Sequence, residues 1–159
     1  HTRSFHVTGV QTCALPICAS SNVGAKDLSY TTATVPKTDS TQVLRATNFG
    51  FSIPANATVL GVQVSIGRFI TTASGSSSGV VDNSLYLTLN GVNKGSNKAS
   101  ATNWPYTTEA AAAYGATNDL WGAGTLTPAD INSSTFGVAL SAKNTSSASK
   151  TFLNPPKSI

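Results

Sequence analysis

The stretch from Phe49 to Ile66 constrains the fold more than any other part of the chain. It reads Phe-Gly-Phe-Ser-Ile-Pro-Ala-Asn-Ala-Thr-Val-Leu-Gly-Val-Gln-Val-Ser-Ile. Apolar residues fall at every second position on both sides of Pro54: Phe49, Phe51 and Ile53 before it, Leu60, Val62, Val64 and Ile66 after it. A period of two places one face of a strand in a core and the other in solvent. Proline cannot donate to a strand ladder, so the first run stops there. The pattern predicts strands over 42–53 and 59–66, joined through Pro54-Ala55-Asn56 as a hairpin or as a corner between two sheets. Phe51, Ile53, Val62, Val64 and Ile66 are expected to be buried together.

The rest of the body reads in the same class. Residues 28–35 are rich in β-branched side chains and are closed by Pro36. After Ile66 the phase changes: Arg68 falls on the apolar face, and Gly67 marks a bulge. Residues 71–79 have the composition of a flexible loop. Leu85, Leu87 and Leu89 point inward against Ser84, Tyr86 and Thr88, and Asn90-Gly91 is a hairpin-turn dipeptide. The alanines of 109–114 favour a short helix by propensity, whereas an all-β setting favours an edge strand. Thr127-Pro128-Ala129-Asp130 has the marks of a capped helical turn near 128–131. Residues 136–142 form a last strand, with Phe136, Val138 and Leu140 inward, and Asn154-Pro155-Pro156 forbids a central strand beyond it. Six or seven short strands and no internal repeat predict an all-β protein, a single antiparallel β-sandwich.

The first eighteen residues stand apart. Val7 to Ile17, Val-Thr-Gly-Val-Gln-Thr-Cys-Ala-Leu-Pro-Ile, resembles the literal translation of a short-read sequencing adapter. Residues 1–18 are therefore expected to be disordered or loosely attached, and the domain to occupy 19–159. Cys13, Cys18, His1 and His6 all lie in this segment. Their spacing matches no zinc arrangement. The body carries no cysteine to report a redox compartment.

Within that body the basic residues Lys26, Lys37, Arg45, Arg68, Lys94, Lys98, Lys143, Lys150 and Lys157 are scattered singly. A nucleic-acid surface clusters them among aromatics, so nucleic acid is not an expected partner. No run reaches the roughly 20 apolar residues of a membrane span. The carboxylates are Asp27, Asp39, Asp82, Glu109, Asp119 and Asp130. Two of them at suitable separation would make a glycosidase pair, but turn, cap and strand positions account for them equally well. Serines lack a histidine to activate them. Calcium is the metal that suits the oxygen-rich pairs Asp82-Asn83 and Asn118-Asp119. Trp104, Tyr106, Tyr114 and Trp121 concentrate in the irregular half, where they pack internally or form a platform for sugar rings.

The ordered series Leu44-Arg-Ala-Thr-Asn-Phe-Gly-Phe-Ser-Ile-Pro54, Ala57-Thr-Val-Leu-Gly-Val-Gln-Val64, Asp82-Asn-Ser84, Asn97-Lys-Ala99, Trp104-Pro105, Asp119-Leu-Trp-Gly122 and Asp130-Ile-Asn-Ser-Ser-Thr-Phe-Gly-Val138 resembles a β-sandwich module of large bacterial exported proteins and phage virion proteins. The resemblance spans about 30–140 and implies a jelly-roll-like fold and a non-catalytic role. It transfers no functional residue. Such modules usually finish with a further strand, and the proline-rich 150–159 departs from that pattern, so the final strand is expected to be missing. The expected role is a structural or adhesive module, extracellular, at a cell surface or in a virion, whose partners are neighbouring domains of a larger polypeptide. A carbohydrate-binding module using exposed Trp and Tyr, with polysaccharide as partner, and a glycoside-active enzyme fragment are the alternatives.

Overall fold

The computed structural model of the chain describes residues 31–71, 79–148 and 150–154. The expected adapter segment 1–18, most of the 71–79 loop, and residues 28–30 of the first strand lie outside the described residues. Among these residues eight strands and one helical turn follow in order: β1 (Thr31–Val35), β2 (Leu44–Thr47), β3 (Gln63–Ile70), β4 (Val80–Leu89), β5 (Val92–Lys94), β6 (Ala110–Gly115), α1 (Pro128–Asn132), β7 (Gly137–Asn144) and β8 (Lys150–Asn154). They build two four-stranded sheets ordered β1-β8-β3-β6 and β2-β7-β4-β5, in which all the strand pairs are antiparallel. The all-β class predicted from period-two patterning is the class observed. Val64, Ile66 and Ile70 of β3, Leu85 and Leu87 of β4, and Val138 and Leu140 of β7 share one hydrophobic cluster, so the two sheets bury a common core.

The stretch around Pro54 is a crossover between sheets. β2 pairs with β7, whereas β3 pairs with β6 and β8, so the strands flanking the turn never meet. The first strand is also shorter than its pattern suggests. Asn48 and Gly50 take positive φ of 59° and 67°, which breaks the extended run after Thr47. Downstream, the Asn132 side chain stands in for a neighbouring strand: Ile53 N–H donates to Asn132 Oδ1 at 2.8 Å, and Asn132 Nδ2 donates to the Ile53 carbonyl at 2.9 Å. Val62, Val64 and Ile66 are buried as the pattern predicts, whereas Phe51 and Ile53 are half-buried and pack against the same cluster from outside. Leu60 departs from the pattern and is 68 % exposed. Before β3 begins, the chain leans on the 116–119 loop, with Val62 N–H donating to the Asp119 carbonyl at 2.9 Å. A Cβ on Gly61 would stand 2.5 Å from the Ala116 carbonyl oxygen, so only glycine permits that approach.

Four further expectations are settled by the ladders. Gly67 pairs in register with Ala111 and makes no bulge. The irregularity falls instead in β4 between Asp82 and Ser84. Asn90 and Gly91, at φ 53° and 76°, make the predicted turn between β4 and β5. The alanine run forms an edge strand, because pairing with β3 outweighs the helix preference of Ala over so short a segment. Residues 150–154, expected to lack a strand, form β8 between β1 and β3. Pro155 follows the last paired residue, Asn154, so its missing donor interrupts none of the described pairs. Across the sheets, the buried Asn144 of β7 donates Nδ2 to the carbonyls of Val35 at 3.1 Å, Pro36 at 3.0 Å and Ala148 at 2.8 Å, tying the end of β1 to the β7–β8 link.

The helical turn carries the capping box read from its sequence. Asp130 N–H donates to Thr127 Oγ1 at 3.2 Å, and Thr127 N–H donates to Asp130 Oδ2 at 2.8 Å. Thr127→Ala is expected to cost about 1 kcal/mol in urea denaturation. The Thr127 hydroxyl, and then the Thr127 backbone N–H, hold the Asp130 carboxyl below its ordinary range. A folded value below the unfolded one gives stability that is present above about pH 4 and fades as the pH falls further. The effect is small because solvent screens the site. Asp130→Asn should flatten that acid limb.

Candidate functional site

The alternation of β3 that buries Val64, Ile66 and Ile70 also drives Arg68 into the interior. A guanidinium there needs a partner, since an isolated buried charge costs several kcal/mol. β4 supplies it through its irregularity. Val80 and Asp82 face inward, the extra residue Asn83 faces solvent, and Leu85 and Leu87 resume the inward face, so the bulge brings a carboxylate into an otherwise leucine-lined strand. Arg68 Nη1 donates to Asp82 Oδ1, and the side chains of the pair are 6 % and 0 % exposed.

Asp82 gathers three further donors. Trp104 Nε1 reaches Oδ1 at 2.8 Å, while Tyr114 OH at 2.7 Å and Ser100 N–H at 2.9 Å reach Oδ2. The guanidinium carbon of Arg68 sits 5.4 Å from the Trp104 ring centre and 5.7 Å from that of Tyr114, within cation–π range. Each carboxylate oxygen thus accepts two bonds, and the charge of Arg68 faces two aromatic rings. The cluster joins β3 and β6 of one sheet to β4 of the other. Its polar groups satisfy one another, as a buried network must for it to stabilise.

Burial, and then the hydrogen bond to Asp82, push the Tyr114 hydroxyl well above its ordinary value. The raised folded value means that the tyrosine favours folding below about pH 10 and that this contribution is lost progressively above it. Tyr114→Phe should lower stability by roughly 1.5–3 kcal/mol at neutral pH. In guanidinium titrations it should also remove part of the decline in stability expected above about pH 10.

Beside the cluster lies a groove of about 720 Å³. Arg68 and Tyr114 contribute to its lining, one wall is β6, and the other is formed by Lys98, Ser100, Thr102 and Asn103. That second wall is held on β4: Lys98 N–H donates to the Leu85 carbonyl at 2.9 Å, Asp82 N–H to the Ser100 carbonyl at 3.2 Å, and Trp104 N–H to the Val80 carbonyl at 2.8 Å. Since β7 occupies the opposite side of β4, this segment continues the β5 edge of its sheet. The groove therefore runs between the rims of the two sheets.

The aromatic residues singled out from sequence take different places. Trp104 and Tyr114 meet at Asp82, whereas Trp121 is fully buried elsewhere and donates Nε1 to the Val62 carbonyl at 2.8 Å. Of the two alternatives read from the sequence, internal packing is the one observed for these three residues, whose large apolar area is buried while each N–H or O–H finds an acceptor. Tyr106 alone of the four is exposed, at 50 %. The four candidate calcium ligands do not share partners either. Asp82 is taken up by its donors, and Asn83 Nδ2 donates to Ser141 Oγ at 3.0 Å. Asn118 is exposed. Asp119 pairs with Lys98 Nζ at 2.8 Å and accepts the Trp121 N–H at 2.7 Å. These two bonds, Lys98 first, hold the Asp119 carboxyl below its ordinary range. Among the described residues no three acidic, histidine or cysteine side chains gather at one place.

Sequence reading missed Arg68 as the centre of the site. Its signal is a charge on the apolar face of β3, one residue after Gly67, in a strand with no bulge to turn it outward. No protein-family model, curated protein or solved structure matches the chain.

Proposed function

We propose that the chain is a non-enzymatic structural or adhesive module of jelly-roll-like β-sandwich architecture, carried beside other domains in an exported bacterial or phage protein. One observation carries this reading: Asp82, Arg68, Trp104 and Tyr114, the residues best equipped for chemistry, spend their hydrogen bonds and ring faces on one another. A carboxylate with four donors and a guanidinium between two rings hold sheets together; a general acid or base needs a lone pair or proton directed at substrate. The saccharide reading is left with Tyr106 as its exposed aromatic. The test is a polysaccharide panel by affinity electrophoresis combined with a glycoside turnover screen on the full chain. No retardation and no turnover are expected. Retardation abolished by Tyr106→Ala would replace this reading with the carbohydrate-binding one, and turnover abolished by Asp82→Asn would replace it with a hydrolase.

A further inference from the structure

Edge strands invite pairing, and proteins usually guard them with a lysine, a proline, a bulge or a covering segment. β6 has none of the first three: its sequence is Ala-Ala-Ala-Ala-Tyr-Gly, and it runs in unbroken register against β3. Among the described residues, the backbone of Ala110–Gly115 makes no hydrogen bond beyond β3. Where a cover would lie there is instead the groove, whose far wall is the segment 98–103 fixed on β4. The groove is open to solvent, with a volume of about 720 Å³.

We infer that this groove accepts an extended acidic peptide, which adds to β6 as an outer strand. Main-chain bonds to the free side of β6 supply affinity, and alternate side chains of the guest turn toward the groove lining. That lining carries Arg68 and Lys98 and no carboxylate, and the whole chain bears a formal charge of +4. Arg68 is buried and committed to Asp82, so the cation that meets a guest carboxylate is Lys98, which is half-buried and held to Asp119 by one contact at 2.8 Å, with further N–H donors on its ammonium. A second copy of the chain fits less well, because pairing β6 with β6 would bring like-charged rims together. The inference rests on the interaction-module reading, for which it names a ligand class.

The test uses a fluorescein-labelled hexapeptide, Thr-Asp-Val-Asp-Val-Thr, its analogue with both Asp replaced by Lys, and an acidic analogue N-methylated at alternate amides. Titration of the full chain by polarisation is paired with hydrogen exchange. The acidic peptide should bind and slow exchange of alternate amides in 110–115. The lysine and N-methylated analogues should each bind about tenfold more weakly or worse. Lys98→Gln should weaken the acidic peptide about two- to fivefold. Absence of binding at about 1 mM overturns the inference. So does binding that ignores N-methylation, binding without protection of β6, or protection of β6 by self-association alone. None of these outcomes alters the result of the polysaccharide and turnover screens, so the two readings fail separately.

Discussion

Replacing Asp82 with alanine is expected to destabilise the protein by about 3–5 kcal/mol, a large part of the roughly 5–15 kcal/mol that holds a domain of this size together. The loss comes from what remains behind. Arg68 would stay buried between two rings with its charge uncompensated, and Trp104 Nε1, Tyr114 OH and Ser100 N–H would each lose an acceptor. Asp82→Asn keeps an acceptor in place and should cost less. The double substitution Asp82→Leu with Arg68→Met should recover much of the loss, because a packed apolar pair carries no desolvation penalty. Urea denaturation followed by fluorescence, read as a double-mutant cycle, checks the ordering. A loss below about 1 kcal/mol for Asp82→Ala would show that the pair contributes only as a surface ion pair does.

Trp121→Ala should cost a comparable amount, about 3–5 kcal/mol, through the cavity left by a fully buried indole. The backbone has been shaped around this ring. Trp121 itself has φ of 59°, its N–H is held by Asp119, and its carbonyl accepts from Ser96 N–H at 2.5 Å. A Cβ on Gly115 would stand 2.4 Å from Trp121 Nε1, and one on Gly95 would stand 2.2 Å from the Trp121 carbonyl oxygen. Both glycines have positive φ, 69° and 72°, so alanine is strained there even without the clash. Gly115→Ala should therefore lower the thermal midpoint much as Trp121→Ala does. Trp121→Phe keeps most of the ring but leaves the Val62 carbonyl without its donor, and should cost roughly 1–3 kcal/mol.

Strand chemistry was legible where it is local. The alternation through Val62, Val64 and Ile66, the Asn90-Gly91 turn and the Thr127 capping box all depend on residues a few positions apart, and each is found as read. What depends on distant partners was not legible. The run before Pro54 looks like a full strand, yet it ends at Thr47, where Asn48 and Gly50 turn to positive φ, and beyond that break Asn132, far along the chain, offers Ile53 a substitute neighbour. Lys150–Asn154 looks like a tail, yet β1 and β3 leave a strand-wide space for it. The same limit hid the site. Arg68 and Asp82 each break the apolar pattern of their own strand, and only pairing across the two sheets makes one the reason for the other.

The register of β1 with β8 carries a mechanical consequence. Thr31 lies opposite Asn154, so the first and last described residues are neighbours, about 5 Å apart. Tension applied between them acts across the strands and opens the pairs from Thr31–Asn154 toward Val35–Lys150 one after another, whereas shear would load all five together. Such a zipper yields at low force.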